Sequence, residues 1–257
     1  MSDEVIRERH GQVEVLTINR PEARNAINGA VSREMSAALD ELATDDGCRV
    51  VVVTGAGDKA FSAGMDLKAF AAGEAGDIMG ANGGFAGLTQ RTFDKPIIAA
   101  VNGHALAGGC EIMLACDLVV AVEGATFGIP EVKRGLFAGA GALIRLPKRI
   151  PTALALELAL TGEAISAQRA FDIGLINRVV PAERLMDEAL ALGELIADNA
   201  PLAVRASKRV MKVAGELPDS QGWEVNNAAF SDVFGSKDAM EGATAFAEKR
   251  KPNWTGA

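Results

Sequence analysis

The chain has 257 residues, of which 49% are hydrophobic and only 5% aromatic, with no tyrosine, and its formal net charge is −8. That acidic balance argues against a nucleic-acid or anionic-membrane surface as the main partner, and few aromatics are present to stack bases. No apolar run reaches the ~18 residues of a membrane span.

Met1-Ser2-Asp3-Glu4 has neither the basic start nor the apolar stretch of a secretory signal. Cys48, Cys110 and Cys116 lack metal spacing, and His10 and His104 are too few for a histidine site, so no metal is expected. The expectation is a cytoplasmic protein with reduced thiols. Alternation through Val13, Val15 and Ile18 after Gly11 predicts a hairpin of strands at about 4–9 and 13–19. Val31, Met35, Ala38, Leu39 and Leu42 recur at helical spacing. Val50-Val51-Val52-Val53-Thr54, ended by Gly55, reads as a strand covered on both faces, and 96–101 and 118–122 repeat the type.

Helical segments fall between these runs, so residues 13–180 read as strand–helix alternation and an α/β fold. Residues 71–88 contain six glycines (73, 76, 80, 83, 84 and 87). They read as a mobile loop over a pocket, or as a plain exposed connection. Beyond Pro181 only helices are predicted: one through Leu185, Ala189, Leu192 and Ile196, one opened by Pro201, and two more over 223–234 and 236–251. This tail either caps the core or packs against a neighbouring subunit.

Three segments carry candidate chemistry. In Gly103-His104-Ala105-Leu106-Ala107-Gly108-Gly109-Cys110-Glu111 a helix is expected from about residue 108, with Glu111 in its first turn. The first amides of a helix have no internal acceptor and sit at the positive end of its dipole. Glycine there admits a ligand oxygen, although the same residues also suit close helix packing. In Ala60-Phe61-Ser62-Ala63-Gly64-Met65-Asp66-Leu67 the Met65 amide is a second candidate donor. Two donors about 3 Å from a developing oxyanion form a hole for it.

Gly55-Ala56-Gly57-Asp58-Lys59-Ala60 imitates a dinucleotide fingerprint, but Phe61-Ser62-Ala63-Gly64 is a poor start for the helix such a motif requires. In Phe127-Gly128-Ile129-Pro130-Glu131 a carboxylate follows a rigid turn; alone it reads as a surface cap or as a catalyst. Together, two carboxylates able to share a water and two backbone donors suit acid/base chemistry beside a carbonyl.

These three segments, with Asn19-Arg20-Pro21-Glu22-Ala23-Arg24-Asn25-Ala26, Gly174-Leu175-Ile176-Asn177-Arg178-Val179-Val180, Glu241-Gly242 and Phe246-Ala247-Glu248-Lys249-Arg250, resemble the crotonase (enoyl-CoA hydratase/isomerase) superfamily in order along nearly the whole chain. The resemblance implies a crotonase-type spiral of ββα units over 1–195 and a helical C-terminal region over 196–257 that builds a homotrimer or a dimer of trimers. It implies an acyl-CoA thioester substrate, with coenzyme A carried by the substrate and no further cofactor. By position, the amides of Met65 and Gly108 would hold the thioester oxygen, Glu111 would activate water and Glu131 would protonate C2.

Arg24, Lys59 and Lys68 would meet the CoA phosphates, the backbone at Ala63 the adenine, and Phe246 and Lys249 would complete the site from the same or an adjacent subunit. His104 is expected to shape the turn or pocket wall. Retention of both glutamates favours hydration of 2,3-enoyl-CoA; the alternative is another crotonase-fold reaction, Δ3-Δ2 isomerisation or hydration of an aromatic or steroid-derived acyl-CoA. Their retention also disfavours a non-catalytic CoA-thioester binder. Two departures from the family's common pattern are Met65 where Ala is frequent, and the apolar Leu143-Ile144 where a Thr-Gln pair is frequent.

Overall fold

The valine run at 50–53 forms the centre of the main sheet. In a computed structural model, residues 4–80 and 82–257 are described. Met1, Ser2 and Asp3, where the absence of a signal was read, and Ala81, inside the glycine-rich stretch, lie outside the described residues. Strands β1 (Val5–His10), β2 (Val13–Ile18) and β3 (Val50–Gly55) are followed by β4 (Ala60–Ser62), β5 (Ile97–Val101), β6 (His104–Leu106), β7 (Leu118–Val122), β8 (Thr126–Gly128), β9 (Ile165–Ser166) and β10 (Arg178–Val180). The main sheet runs β1-β2-β3-β5-β7-β10. β1 and β2 form the expected antiparallel hairpin, and β2, β3, β5, β7 and β10 are parallel neighbours.

Every residue of β3 and β5 is buried, as continuous β-branched and small apolar runs require when both sheet faces are covered. Helix α1 (Gly29–Thr44) is capped by the Asn28 side chain, which accepts from the Val31 amide. Later come α2 (Leu67–Ala69), α3 (Ala75–Met79), α4 (Gly108–Ala115), α5 (Ala142–Arg149), α6 (Thr152–Thr161), α7 (Ala167–Asp172) and α8 (Leu185–Ala197). α8 lies across β2, β3, β5 and β7. Helices α9 (Pro201–Ala214), α10 (Asp219–Phe234) and α11 (Lys237–Glu248) complete the helical tail.

A second sheet, β4-β6-β8-β9, was not read from the local pattern, although the ββα units that the resemblance implies require it. Its first three strands are parallel. Each follows a main-sheet strand in the chain, so the repeating unit is a main-sheet strand, a short strand of the second sheet, and a helix or helical turn. Between the strand at 97–101 and the helix expected from about 108, the connection contains β6.

The reading of 71–88 as a mobile loop is corrected. Its described part holds a wide helical turn (Phe70–Glu74), α3 and a 3-10 turn (Phe85–Gly87), with Ile78, Phe85, Ala86 and Leu88 buried. Arg91 pins it by donating to the carbonyls of Gly87, Asn82 and Ser36 and pairing with Asp40. Gly80, Gly83, Gly84 and Gly87 serve close contact, while Gly73 and Gly76 face open space: a Cβ on Gly87 would stand 2.7 Å from the Ser36 amide of α1. Gly55 is followed by β4 and not by a helix, in keeping with rejection of a dinucleotide fingerprint.

Candidate active site

The three parallel strands of the second sheet each lead into one of the predicted elements. After β4 the chain passes through Gly64 to Met65, after β6 through Ala107 to Gly108, and after β8 through Pro130 to Glu131. The Ile27–Met65 bridge orients the first donor. Ile27 donates to the Gly64 carbonyl at 2.8 Å and accepts from Asp66 at 2.9 Å. Alternation along an extended chain turns the intervening Met65 amide to the opposite side.

Gly108 opens α4, so its amide has no acceptor within the helix. The two turns touch: a Cβ on Gly64 would lie 2.7 Å from the Gly108 nitrogen. Gly64 has φ +90, a conformation glycine adopts without strain. Ala107 precedes Gly108 at φ 52 and ψ −129, where a Cβ is unfavourable. The buried Phe85 ring covers Gly108, since a Cβ there would be 2.6 Å from Phe85 Cε1 and Cζ. Nothing in the sequence marks Ala107, and Phe85 sits in the stretch expected to be mobile.

Glu111, in the first turn of α4, is 3% exposed and accepts from the Ala142 amide at 3.0 Å. Burial raises its pKa above the ordinary carboxylate range, opposed by the amides of Ala142 and Ala140, the Arg145 guanidinium and the Gly141 amide. Glu131 begins a 3-10 turn at Pro130–Arg134 and is half-buried. Its Oε2 is buried without a hydrogen-bond partner among the described residues. Burial pushes this carboxyl up to about 7; its own backbone N–H opposes the rise and the charge of Glu111 adds to it.

Both glutamates also act on the buried Cys110 thiol, which burial and then these charges push up to about 12. The sequence-predicted pair therefore shares one environment, but in different hydrogen-bonding states.

The other predicted residues divide by location. Arg24 lies next to Ala63, whose amide donates to the Arg24 carbonyl at 3.0 Å. Lys59 precedes β4, and Lys68 lies in α2, whose N-cap Asp66 is paired with Arg20. Arg24, Lys59 and Lys68 are exposed and enter no ion pair among the described residues. Phe246, on α11, is 88% exposed and Lys249 is exposed beyond that helix's end.

His104 lies exposed on β6, its Nδ1 2.8 Å from the Thr126 hydroxyl of β8. Among the described residues, no group of three or more His, Cys, Asp and Glu is placed to hold a metal ion. Asn25 was quoted only as part of a motif, yet it fastens the site from behind. Its buried side chain donates to the carbonyls of Ala60 at 2.7 Å and Ala56 at 2.9 Å.

The repeating order of main-sheet strand, short strand and helix is the architecture that the crotonase resemblance implies. The family model for enoyl-CoA hydratase/isomerase matches residues 8–257, and the chain belongs to that family. It is an enzyme of the hydratase-type lyase class. It is 43% identical over 261 residues to the carnitinyl-CoA dehydratase of Salmonella enteritidis PT4, covering 100% of both chains.

Among solved structures, an enoyl-CoA hydratase from Mycobacterium tuberculosis H37Rv matches with TM-score 0.95, 49% identity and 100% of both chains. A carnitinyl-CoA hydratase from Mycobacterium avium matches with TM-score 0.79, 48% identity and 100% of both chains. No helix among the described residues is long and apolar enough to cross a membrane.

Proposed function

We propose that the enzyme adds water across 2,3-enoyl-CoA thioesters to give 3-hydroxyacyl-CoA. The observation that carries this reading is the asymmetry of the glutamates: Glu111 is held by backbone amides, whereas Glu131 has a buried, unpartnered oxygen and a pKa raised to about 7. In the proposed step Glu111 takes a proton from water as its oxygen bonds to C3. The C2–C3 π electrons move toward the thioester carbonyl, whose oxygen gains charge facing the Met65 and Gly108 amides. Glu131 then gives C2 its proton, and the pair returns to its starting state when a proton passes from Glu111 to Glu131.

CoA enters as part of the substrate, its phosphates near Arg24, Lys59 and Lys68 and its adenine at the Ala63 backbone. Exposed Met211, Trp223, Phe234 and Met240 on α9–α11 support assembly as a trimer or dimer of trimers, in which Phe246 and Lys249 would complete a neighbour's site. A second reading, the elimination of water from carnitinyl-CoA, is favoured by the full-length identity to relatives of that name.

The test is mass spectrometry of the enzyme with short, long and aromatic 2-enoyl-CoAs and with carnitinyl-CoA. Gain of one water by the enoyl thioesters, absent in Glu131→Gln, supports the first reading, and loss of one water from carnitinyl-CoA alone supports the second. Binding without either change moves the assignment to another reaction of the fold, such as isomerisation.

A further inference from the structure

The half-buried Arg145 has no carboxylate partner among the described residues. Its guanidinium donates to the carbonyl of Ala140 at 3.4 Å and to that of Thr89, and burial lowers its pKa. A withdrawn guanidinium facing only carbonyls is costly unless an anion lies in its field. The Glu111 carboxyl lies close enough for its charge to act on it.

We propose that Arg145 is a positioning residue for the hydration step, clasping the Ala140–Ala142 backbone so that its amides hold Glu111 as the water-activating anion. This inference rests on the hydratase reading given above.

The connectivity is specific. In the peptide joining Ala140 to Gly141, the carbonyl accepts from Arg145 Nη1 while the N–H acts on Glu111. In the peptide joining Gly141 to Ala142, the carbonyl accepts from the Arg145 backbone N–H at 3.0 Å while the N–H donates to Glu111 Oε1 at 3.0 Å. A hydrogen bond at a carbonyl polarises its peptide and strengthens donation from the N–H at the other end. Arg145 thus reinforces two amides of the cradle besides acting through its own charge.

Gly141 leaves the room: a Cβ there would stand 1.9 Å from Nη1, and its φ is +119. The same guanidinium reaches back to Thr89, just after the Phe85 turn that covers Gly108, and so ties the Glu111 cradle to the wall of the oxyanion site.

The other ionisable groups around Glu111 do not duplicate this role. Glu131 and Cys110 oppose its charge or stay neutral. Arg149 donates to the Cys116 carbonyl and lies toward Cys116, Cys110 and Asp117. Glu216, which also acts on Arg145, is paired with Lys148.

The test compares Arg145→Gln and Arg145→Lys with the parent enzyme by two readouts. The first is the pH profile of kcat for hydration. Loss of the cation moves the acidic limb to higher pH in Arg145→Gln, lowers kcat near neutrality at least about tenfold with little change in KM, and Arg145→Lys restores part of both. The second needs no turnover: a carbon-13 carboxyl NMR titration of Glu111 in the Glu131→Gln background, with and without Arg145→Gln. It expects Glu111 to titrate at higher pH without Arg145.

An acidic limb and an NMR titration that both stay in place would overturn the proposal, as would equal damage from Arg145→Lys and Arg145→Gln in folded protein. If the parent enzyme hydrates nothing, the function reading fails while the NMR titration still decides the role of Arg145. If Arg145→Gln does not fold, the same comparisons are made with the neutral Arg145→Met, whose Glu111 titration at the parent position together with parent kcat would overturn the proposal.

Discussion

Gly64 and Gly108, 44 residues apart in sequence, stand in backbone contact: a Cβ on Gly64 would be 2.7 Å from the Gly108 nitrogen. Gly64→Ala therefore meets both a steric barrier at the donor and a φ of +90. It is expected to lower kcat about 10²–10³-fold and to destabilise the fold by about 1–3 kcal/mol. Steady-state kinetics and thermal melting of the variant check both. Parent kcat would remove these amides from the chemistry.

Glu111→Gln and Glu131→Gln are each expected to lower kcat by about 10²–10⁴ while leaving substrate binding largely intact. Single-turnover kinetics beside equilibrium binding of an acyl-CoA separates the two effects. Normal turnover in either variant excludes that side chain from the reaction.

With Glu131 acting as an acid near pH 7, activity should fall as pH rises through about 7. The apparent value belongs to the coupled pair. Stability follows the same group. A carboxyl whose folded-state pKa lies above its unfolded value, about 4.3, stabilises the fold below that value, and this contribution is lost as pH rises through about 7. The melting temperature of the parent should thus decline relative to Glu131→Gln between about pH 4 and 7. Parallel melting curves across that range would contradict the burial of Glu131 in its charged form.

Ala107→Gly is expected to separate stability from turnover. Relief of the strain at φ 52 is worth about 1–3 kcal/mol, offset by about 0.5–1 kcal/mol of added chain entropy in the unfolded state. The variant should melt at or above the parent temperature yet turn over more slowly, because the Gly108 amide is less firmly aimed. A faster variant would show that Ala107 does not hold this donor.

Arg24→Ala and Lys68→Ala should raise KM for CoA thioesters several-fold more than KM for the matching pantetheine thioester, which lacks the nucleotide phosphates. Equal effects on the two substrates would place these cations away from the CoA.

Much of this architecture was legible from local pattern. Val50-Val51-Val52-Val53 cannot be covered on one face only, so β3 and its neighbours declared strands buried on both faces. The spacing from Val31 to Leu42 similarly announced α1, although its Asn28 cap was not read. β4, β6, β8 and β9 were hidden because two or three residues carry no measurable period. Six glycines in 71–88 suggested motion, whereas several of them make space for α1 and the Arg91 anchor.

At the site, Glu111, Glu131, Met65 and Gly108 stood out by their glycine and proline neighbours. The contribution of Arg145 depends on a carbonyl 56 positions away, at Thr89, which local sequence does not reveal.

Because β4, β6 and β8 are parallel neighbours, the segments bearing Met65, Gly108 and Glu131 leave one edge of a common lattice. Their separation is quantised by the inter-strand repeat of roughly 4.8 Å. A drift in the distance between Glu131 and the Met65 and Gly108 amides, the proposed acid and oxyanion donors, then requires a ladder to break, so substitutions beyond the strand ends would alter reactivity without re-setting the ruler. This fold offers chemistry a fixed gauge with exchangeable tips.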